Sequence, residues 1–289
     1  MWFSKKRNLV DSRPTVASWP QVIDNMKELP YAYREEVEKW LQKGMPLQNV
    51  TYVPSLHRLW KRQGEYAVAW FEDQVMILRE VSSTHATKAV ISYKDVVGVE
   101  YYQKLLNCCA TVIYRQDGQV KRETFQFNKT KEPAFIPLLN IFLGNTPGYK
   151  INVFLEENPV CLDLLDQSYR MYNFSKMALR LDESVETYYW ESERFLYPKK
   201  GMKEEKIREY LVQLQGKGMT LIDAYDYGVG VVYLPWKSID DLESGPKGLE
   251  IKAGDKTYQI PIRFGNQDAI YHFVREAKQA LSQVKKKTI

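Results

Sequence analysis

Cysteine and histidine are scarce in this chain, three of each in 289 residues, and the scarcity removes whole classes of chemistry. Cys108 and Cys109 are neighbours, and side chains of strand neighbours point to opposite faces, so they are poorly placed to bridge each other. With Cys161 they make an odd count without a spacing pattern, which reads as reduced thiols. No Cys–His spacing suits zinc. His57, His85 and His272 stand apart from any nucleophile, and no glycine-rich turn suits a phosphate loop. The adjacent carboxylates Glu35-Glu36, Glu204-Glu205 and Asp240-Asp241 diverge in direction and read as solvated faces. No window approaches the ~18 uninterrupted apolar residues of a membrane-spanning helix. The opening Met1-Trp2-Phe3-Ser4-Lys5-Lys6-Arg7 is not followed by an apolar core, so no secretory signal is expected. The reading is a cytoplasmic protein with no catalytic residues, no metal and no cofactor.

What is present points to β-rich globular structure. Hydrophobic content is 44% and charged content 27%, ordinary values that exclude a disordered or collagen-like chain. Twenty Tyr and seven Trp favour pleated surfaces, on which flat rings pack well. The formal charge of +5 is mild, and Lys61, Arg62, Lys121, Arg122, Lys199 and Lys200 alternate with carboxylates, which disfavours nucleic acid. A helix is predicted after Pro30 from Tyr33, Val37, Trp40 and Leu41, closed by Gly44. An extended stretch follows at Val50-Thr51-Tyr52-Val53. From Glu65 the period falls to two, with strands at Ala67–Phe71, Val75–Leu78, Ala89–Tyr93, Val96–Tyr102, Ala110–Arg115 and Val120–Phe127. Asp117-Gly118 is a strong hairpin signal. A buried helix is predicted over Pro133–Leu143. Cys161, Leu164, Leu165, Ser168 and Tyr172 fall at helical spacing, and Leu179–Leu196 reads as a strand pair. A charged helix is expected over Lys203–Gln215, with a stripe of Ile207, Tyr210, Leu211 and Leu214. Strands return at Met219–Ala224, Val229–Leu234, Leu249–Lys252 and Thr257–Phe264. The last helix carries the stripe Ile270, Phe273, Val274, Ala277 and Leu281.

The segment Ile91-Ser92-Tyr93-Lys94-Asp95-Val96-Val97-Gly98-Val99-Glu100 matches Leu234-Pro235-Trp236-Lys237-Ser238-Ile239-Asp240-Asp241-Leu242-Glu243 in character, position by position. After each come a hairpin with a glycine turn, an alternating strand and one amphipathic helix. The second copy has a shorter loop where the first carries Gln103–Cys109. Both copies resemble bacterial pleckstrin-homology-like (PH-like) domains, over about residues 65–144 and 219–283. The resemblance implies an α+β fold of two antiparallel sheet or barrel domains, each closed by a C-terminal helix. Its expected parts are a helical N-terminal segment 1–60, a first domain 61–145, a helical connector 146–175, and a second domain 176–289 with a helical insertion near 203–216.

Many PH-like domains hold inositol phosphates with cations in the first hairpin. The matching turns here, Glu72-Asp73-Gln74 and Tyr225-Asp226-Tyr227-Gly228, are acidic, which argues against that use. A curved sheet plugged by a helix leaves an open edge and a groove beside the helix, both suited to a protein or peptide partner. The expectation is therefore a non-catalytic interaction or scaffold protein, with candidate surfaces at Leu105 and Leu106 and at the edge near Tyr225 and Tyr227. The alternative is attachment to an anionic membrane surface, with Trp2 and Phe3 inserting and Lys5, Lys6 and Arg7 meeting the lipid charge.

Overall fold

The computed structural model describes residues 20–57, 62–147, 159–178, 183–196, 205–245, 248–262 and 266–287. The fold is α+β, with antiparallel pairing in every sheet. A short strand β1 (Gln21–Val22) precedes helix α1 (Tyr31–Leu41), which buries Tyr33, Val37 and Trp40. Pro30 stands just ahead of α1, and Gly44 at φ +100° takes the chain out of the last turn, as the sequence predicts.

Next come β2 (Val50–Val53), a small hairpin of β3 (Leu56–His57) and β4 (Arg62–Gln63), then β5 (Tyr66–Phe71), β6 (Gln74–Ser82) and β7 (His85–Ser92). A 3-10 turn over Tyr93–Asp95 leads to β8 (Val96–Lys104), β9 (Asn107–Gln116), β10 (Gln119–Asn128) and helix α2 (Ile136–Phe142). Helices α3 (Leu164–Gln167) and α4 (Tyr169–Ala178) connect to β11 (Val185–Glu191). A second small hairpin follows, β12 (Arg194–Leu196) with β13 (Glu205–Ile207), then β14 (Glu209–Gln215), β15 (Gly218–Tyr225) and β16 (Gly228–Pro235). After a 3-10 turn over Trp236–Ser238 the chain ends in β17 (Ile239–Gly245), β18 (Gly248–Ala253), β19 (Lys256–Ile260) and helix α5 (Gln267–Lys287).

One order of elements therefore occurs twice: a strand, a small hairpin, three strands, a 3-10 turn, a three-strand meander and a helix. The parallel reaches the irregularities. Register slips between Val96 and Gly98 in β8, and between Ile239 and Asp241 at the same place in β17. Each slip is a β-bulge that turns the strand sharply as it enters the second sheet.

The strands form a five-stranded sheet, β1-β2-β5-β6-β7, a seven-stranded sheet, β10-β9-β8-β16-β15-β14-β11, and a three-stranded sheet, β17-β18-β19. None closes into a barrel. The long sheet is composite: β8 of the first unit pairs with β16 of the second, from Lys104↔Gly228 to Val99↔Tyr233. Three cores follow from this layering. Alternate residues of β5 split between two of them, Ala67 and Ala69 packing with α1 while Tyr66 and Val68 face inward. The inward core is continuous across both units, joining Phe125, Phe135 and Phe142 to Leu211, Val229 and Tyr233. The third lies between the β14–β16 face, β17–β19 and α5. There Ile270, Phe273, Val274, Ala277 and Leu281 are all buried, the stripe read from sequence; the larger four contribute roughly 2 kcal/mol each.

Two expectations are corrected. The stretch expected as a charged helix over 203–216 is strand in its described part, β13 and β14. Leu211 of β14 faces the shared core while Val212 and Leu214 face α5, so the strand is buried on both sides, Gln213 and Gln215 included. The described part of residues 1–60 is not a separate helical preface either, because β2 pairs with β5, Val50 opposite Ala69, and α1 lies on the same sheet.

Candidate functional site

Two surfaces emerge, and the first unites candidates that the sequence offered separately. The loop expected at Gln103–Cys109 is a tight turn, because Lys104 pairs with Asn107 and leaves only Leu105 and Leu106 at the tip. The β15–β16 turn, Asp226-Tyr227, lies beside it, since Gly228 pairs with Lys104 and the Leu105 amide donates to the Tyr227 carbonyl at 3.0 Å. The expected open edge at Tyr225–Val229 does not exist: β16 is paired on both sides, with β15 and β8. Leu105 and Tyr227 adopt left-handed backbone, φ +53° and +61°, which side chains of that size rarely take. They also stay 65% and 80% exposed, so two bulky apolar tips stand together at the end of the composite sheet.

Tyr225 is the anchor beneath these tips. Its ring stacks on Tyr102 at 5.1 Å, the Arg208 guanidinium lies 5.4 Å from its centroid, and its hydroxyl is shared between the Gln103 and Val229 carbonyls, each at 3.0 Å. Burial pushes the Tyr225 phenol above its ordinary pKa, with Tyr102 as the next cause. Burial also raises the Asp223 carboxyl, although Arg208, 2.6 Å away, works in the opposite direction. An open depression of about 350 Å³ is lined by Tyr102, Lys104, Arg208, Tyr225 and Asp226.

The second surface is a groove beside the closing helix, the kind of site the sequence suggested without naming its residues. Between β17 and α5 runs an open groove of about 600 Å³, lined by Glu243 and Ser244 on the strand and by Tyr271, Val274, Arg275 and Lys278 among the helix residues. Among the described strands β17 pairs only with β18, so its outer edge faces this groove. Tyr271 is 64% exposed, beside the apolar stripe rather than in it. An aromatic on the outer flank of an otherwise well-patterned helix was the available signal. The equivalent place in the first unit, between β8 and α2, is filled by β16. Tyr233 shares the core of Val99, Phe142 and Leu143, and the cavity beside them has only about 10 Å³.

Polar contacts tie the units where β18 and β19 meet β8 and β10. Glu100 accepts from Lys256 and from the Tyr258 hydroxyl, and Arg122 grips Asp255 with both terminal nitrogens, at 3.0 and 2.6 Å. Lys237 donates to the Tyr93 and Lys94 carbonyls at 2.7 and 2.8 Å and sits over the Tyr93 ring at 4.4 Å. Desolvation at that contact lowers the Lys237 pKa.

Among the described residues Tyr101, Cys108, Lys129 and Glu132 form a group of reactive side chains whose members bind one another. Tyr101 donates to Glu132 at 2.8 Å, and Lys129 pairs with Glu132 at 2.6 Å. His272 meets the edge of Tyr271 in a T-shaped contact, and the His85 side chain is exposed on β7. Among the described residues no three metal-ligating side chains converge, and no helix is long and apolar enough to cross a membrane. Trp2, Phe3, Lys5, Lys6 and Arg7 lie outside the described residues. The chain matches no protein-family model and no curated protein.

Proposed function

We propose that this chain is a non-catalytic interaction scaffold of two PH-like units, which binds an extended segment of a partner protein by strand addition at β17, in the groove beside α5. The PH-like reading is supported by the repeated element order and by the equivalent bulges that turn β8 and β17. The observation that carries the function is the first unit's own groove, where strand β16 occupies the β8 edge beside α2. An added strand satisfies backbone groups along the edge while alternate side chains enter the groove, so affinity and specificity come from different atoms. Tyr271 is placed to be the aromatic anchor.

The test is selection of extended peptides from a displayed library against the full chain, followed by affinity measurement on variants. Tyr271→Ala removes an exposed ring, so stability should move by no more than about 0.5 kcal/mol. Affinity should fall at least about tenfold, the loss usual for an interface anchor. Replacing Leu105 and Leu106 by Asp should leave it unchanged. Peptides indifferent to both Tyr271→Ala and the obstructing Gln279→Trp would refute the groove as the site.

A second reading is kept for the other surface. Leu105, Leu106 and Tyr227 project together beside Lys104 and Arg208, apolar tips flanked by cations, as contact with an anionic membrane requires. Attachment through Trp2, Phe3, Lys5, Lys6 and Arg7 is its companion. Flotation with anionic vesicles separates the two: Tyr227→Asp abolishes the first, and removal of residues 1–10 the second.

A further inference from the structure

The contact between the units joins unlike surfaces. The first unit presents β8, the opening strand of its meander, and the second presents β16, the last strand before its 3-10 turn. Equivalent strands can be named for each. β17 corresponds to β8, and β7 corresponds to β16. Among the described strands β17 pairs only with β18, and β7 only with β6. The chain thus uses one of two complementary pairs of edges internally and leaves the other pair at its ends. A heterologous contact of this kind repeats from molecule to molecule, giving a ring where the rotation closes and a filament where it does not.

We propose that the segment received by β17 is β7 of a second copy of this chain, in the register that β16 takes on β8, so that chains add head to tail. This rests on the strand-accepting groove proposed above. Carried over through the matching decapeptides, the register sets Leu242 opposite Val90, Glu243 opposite Ala89 and Ser244 opposite Lys88 of the incoming copy.

Three independent features fit. The edges differ in charge: β17 holds Asp240, Asp241 and Glu243, of which Asp241 pairs with Lys252, while β7 holds Lys88, which pairs with Glu36 at 2.7 Å. The lysine of the 3-10 turn is the second feature. Lys237 caps the Tyr93 and Lys94 carbonyls of the other unit. Its counterpart Lys94 is exposed, and its ammonium has no partner among the described residues. In the head-to-tail arrangement Lys94 of the incoming copy meets the Trp236 and Lys237 carbonyls.

The third is the ion pair Glu100–Lys256 across the existing contact. The counterpart of Glu100 is Glu243. That of Lys256 is Lys121, because Tyr114 pairs with Val96 and Lys121, as Ala253 pairs with Ile239 and Lys256. Glu243 lines the groove, and among the described residues Lys121 is held only by Gln116 and Asp117 on its own hairpin.

The experiment is sedimentation analysis of the full chain over a wide concentration range, with Glu243→Lys, Lys121→Glu and a 1:1 mixture of the two. The average mass of the natural chain should climb past that of a dimer. Each single variant brings like charges together and should need at least about fivefold higher concentration for the same mass. The mixture should recover association, because the ammonium introduced by Glu243→Lys in one chain then meets the carboxylate introduced by Lys121→Glu in the other. Circular dichroism of each variant should match the natural chain. A plateau at the dimer, single variants that associate like the natural chain, or a mixture that recovers nothing would overturn the proposal. A natural chain that stays monomeric yet captures selected peptides in a Tyr271-dependent way overturns self-assembly alone. A monomeric chain that captures none overturns the groove as well.

Discussion

Gly228 and Gly230 lie two residues apart on β16, and the structure assigns them opposite tolerance to one added methyl. A Cβ at Gly228 would fall well inside van der Waals contact of the Gln103 carbonyl oxygen and the Tyr225 ring. One obstacle is backbone of the neighbouring unit and the other is the anchor of the apolar tip, so neither yields cheaply. Overpacking of this kind costs about 1–3 kcal/mol. Moving the Tyr225 ring to relieve it weakens the hydroxyl's bonds to Gln103 and Val229, about 1 kcal/mol more. Restricting the unfolded chain returns roughly 0.4–1 kcal/mol. The balance is a loss of about 2 kcal/mol and roughly 5 °C in Tm. At Gly230 the nearest atoms to an added Cβ, on Asp223 and Tyr225, lie at 3.9 Å, an ordinary contact. Gly230→Ala should therefore be neutral or slightly stabilising. Scanning calorimetry measures both, and hydrogen exchange at the Leu105 amide locates the damage, since its bond to Tyr227 spans the two units. Equal losses at the two positions, or a protected Leu105 amide in Gly228→Ala, would refute the close approach of β8 and β16.

Glu209 is nearly buried and is held by Arg170 at 3.2 and 2.7 Å and by the Trp190 indole at 2.9 Å. Arg170→Met strands that carboxylate and should cost about 2–3 kcal/mol, discounted for the partial exposure of the arginine; adding Glu209→Gln should recover about 1 kcal/mol in a double-mutant cycle by urea melts, and strict additivity would show the pair to be uncoupled. Burial pushes the Cys161 thiol from 9.0 up to about 11, and Cys109 is raised for the same reason. At pH 8 the folded Cys161 is therefore about 0.1% thiolate, and disulfide reagents should modify it on unfolding rather than in the native state. A thiol with its folded pKa above its unfolded one favours the fold fully below the unfolded value and loses that contribution as pH rises through the folded one. The urea midpoint should accordingly fall between pH 9 and 11, and a flat profile there would contradict the burial of Cys161.

Much of this architecture was legible because local chemistry and global fold agree. Asp117 and Gly118 both take positive φ, +54° and +73°, as an Asp-Gly hairpin requires. The decapeptide match proved to span both 3-10 turns and both bulges, which the sequence alone did not name, since each unit needs the same corner between its sheets. Legibility failed where a strand is buried on both faces. β14 presents Leu211 to one core and Val212 and Leu214 to another, so apolar residues on both faces fell by coincidence at the helical spacing of Tyr210, Leu211 and Leu214. The site was half legible. Leu105, Leu106, Tyr225 and Tyr227 each stood out as apolar residues in turns, yet only the β8–β16 pairing places the two turns together. That pairing also turned a supposed open edge into an interior strand. The place of the β17 groove was hidden for the converse reason: a strand's own sequence does not say whether a neighbour covers it.

The internal contact also sets the strength expected of the external one. Two units on one polypeptide meet at an effective concentration of order millimolar, so edges that pair only weakly as separate molecules stay paired within a chain. The joined core supports this further, because Val229, Val231 and Tyr233 of β16 pack against residues of the first unit. Between chains neither the tether nor the α4 connector contributes. The β17–β7 contact must therefore rest on a short ladder, Lys94 on two carbonyls and the Glu243–Lys121 pair. Partly exposed ion pairs contribute up to about 1 kcal/mol each, so such an edge holds at high local concentration and lets go on dilution. It is also an edge that a partner segment with a better anchor for the groove beside Tyr271 can displace. Self-association and partner binding then compete for one strand edge, and a selected peptide that occupies the groove should return the assembled chain to monomers.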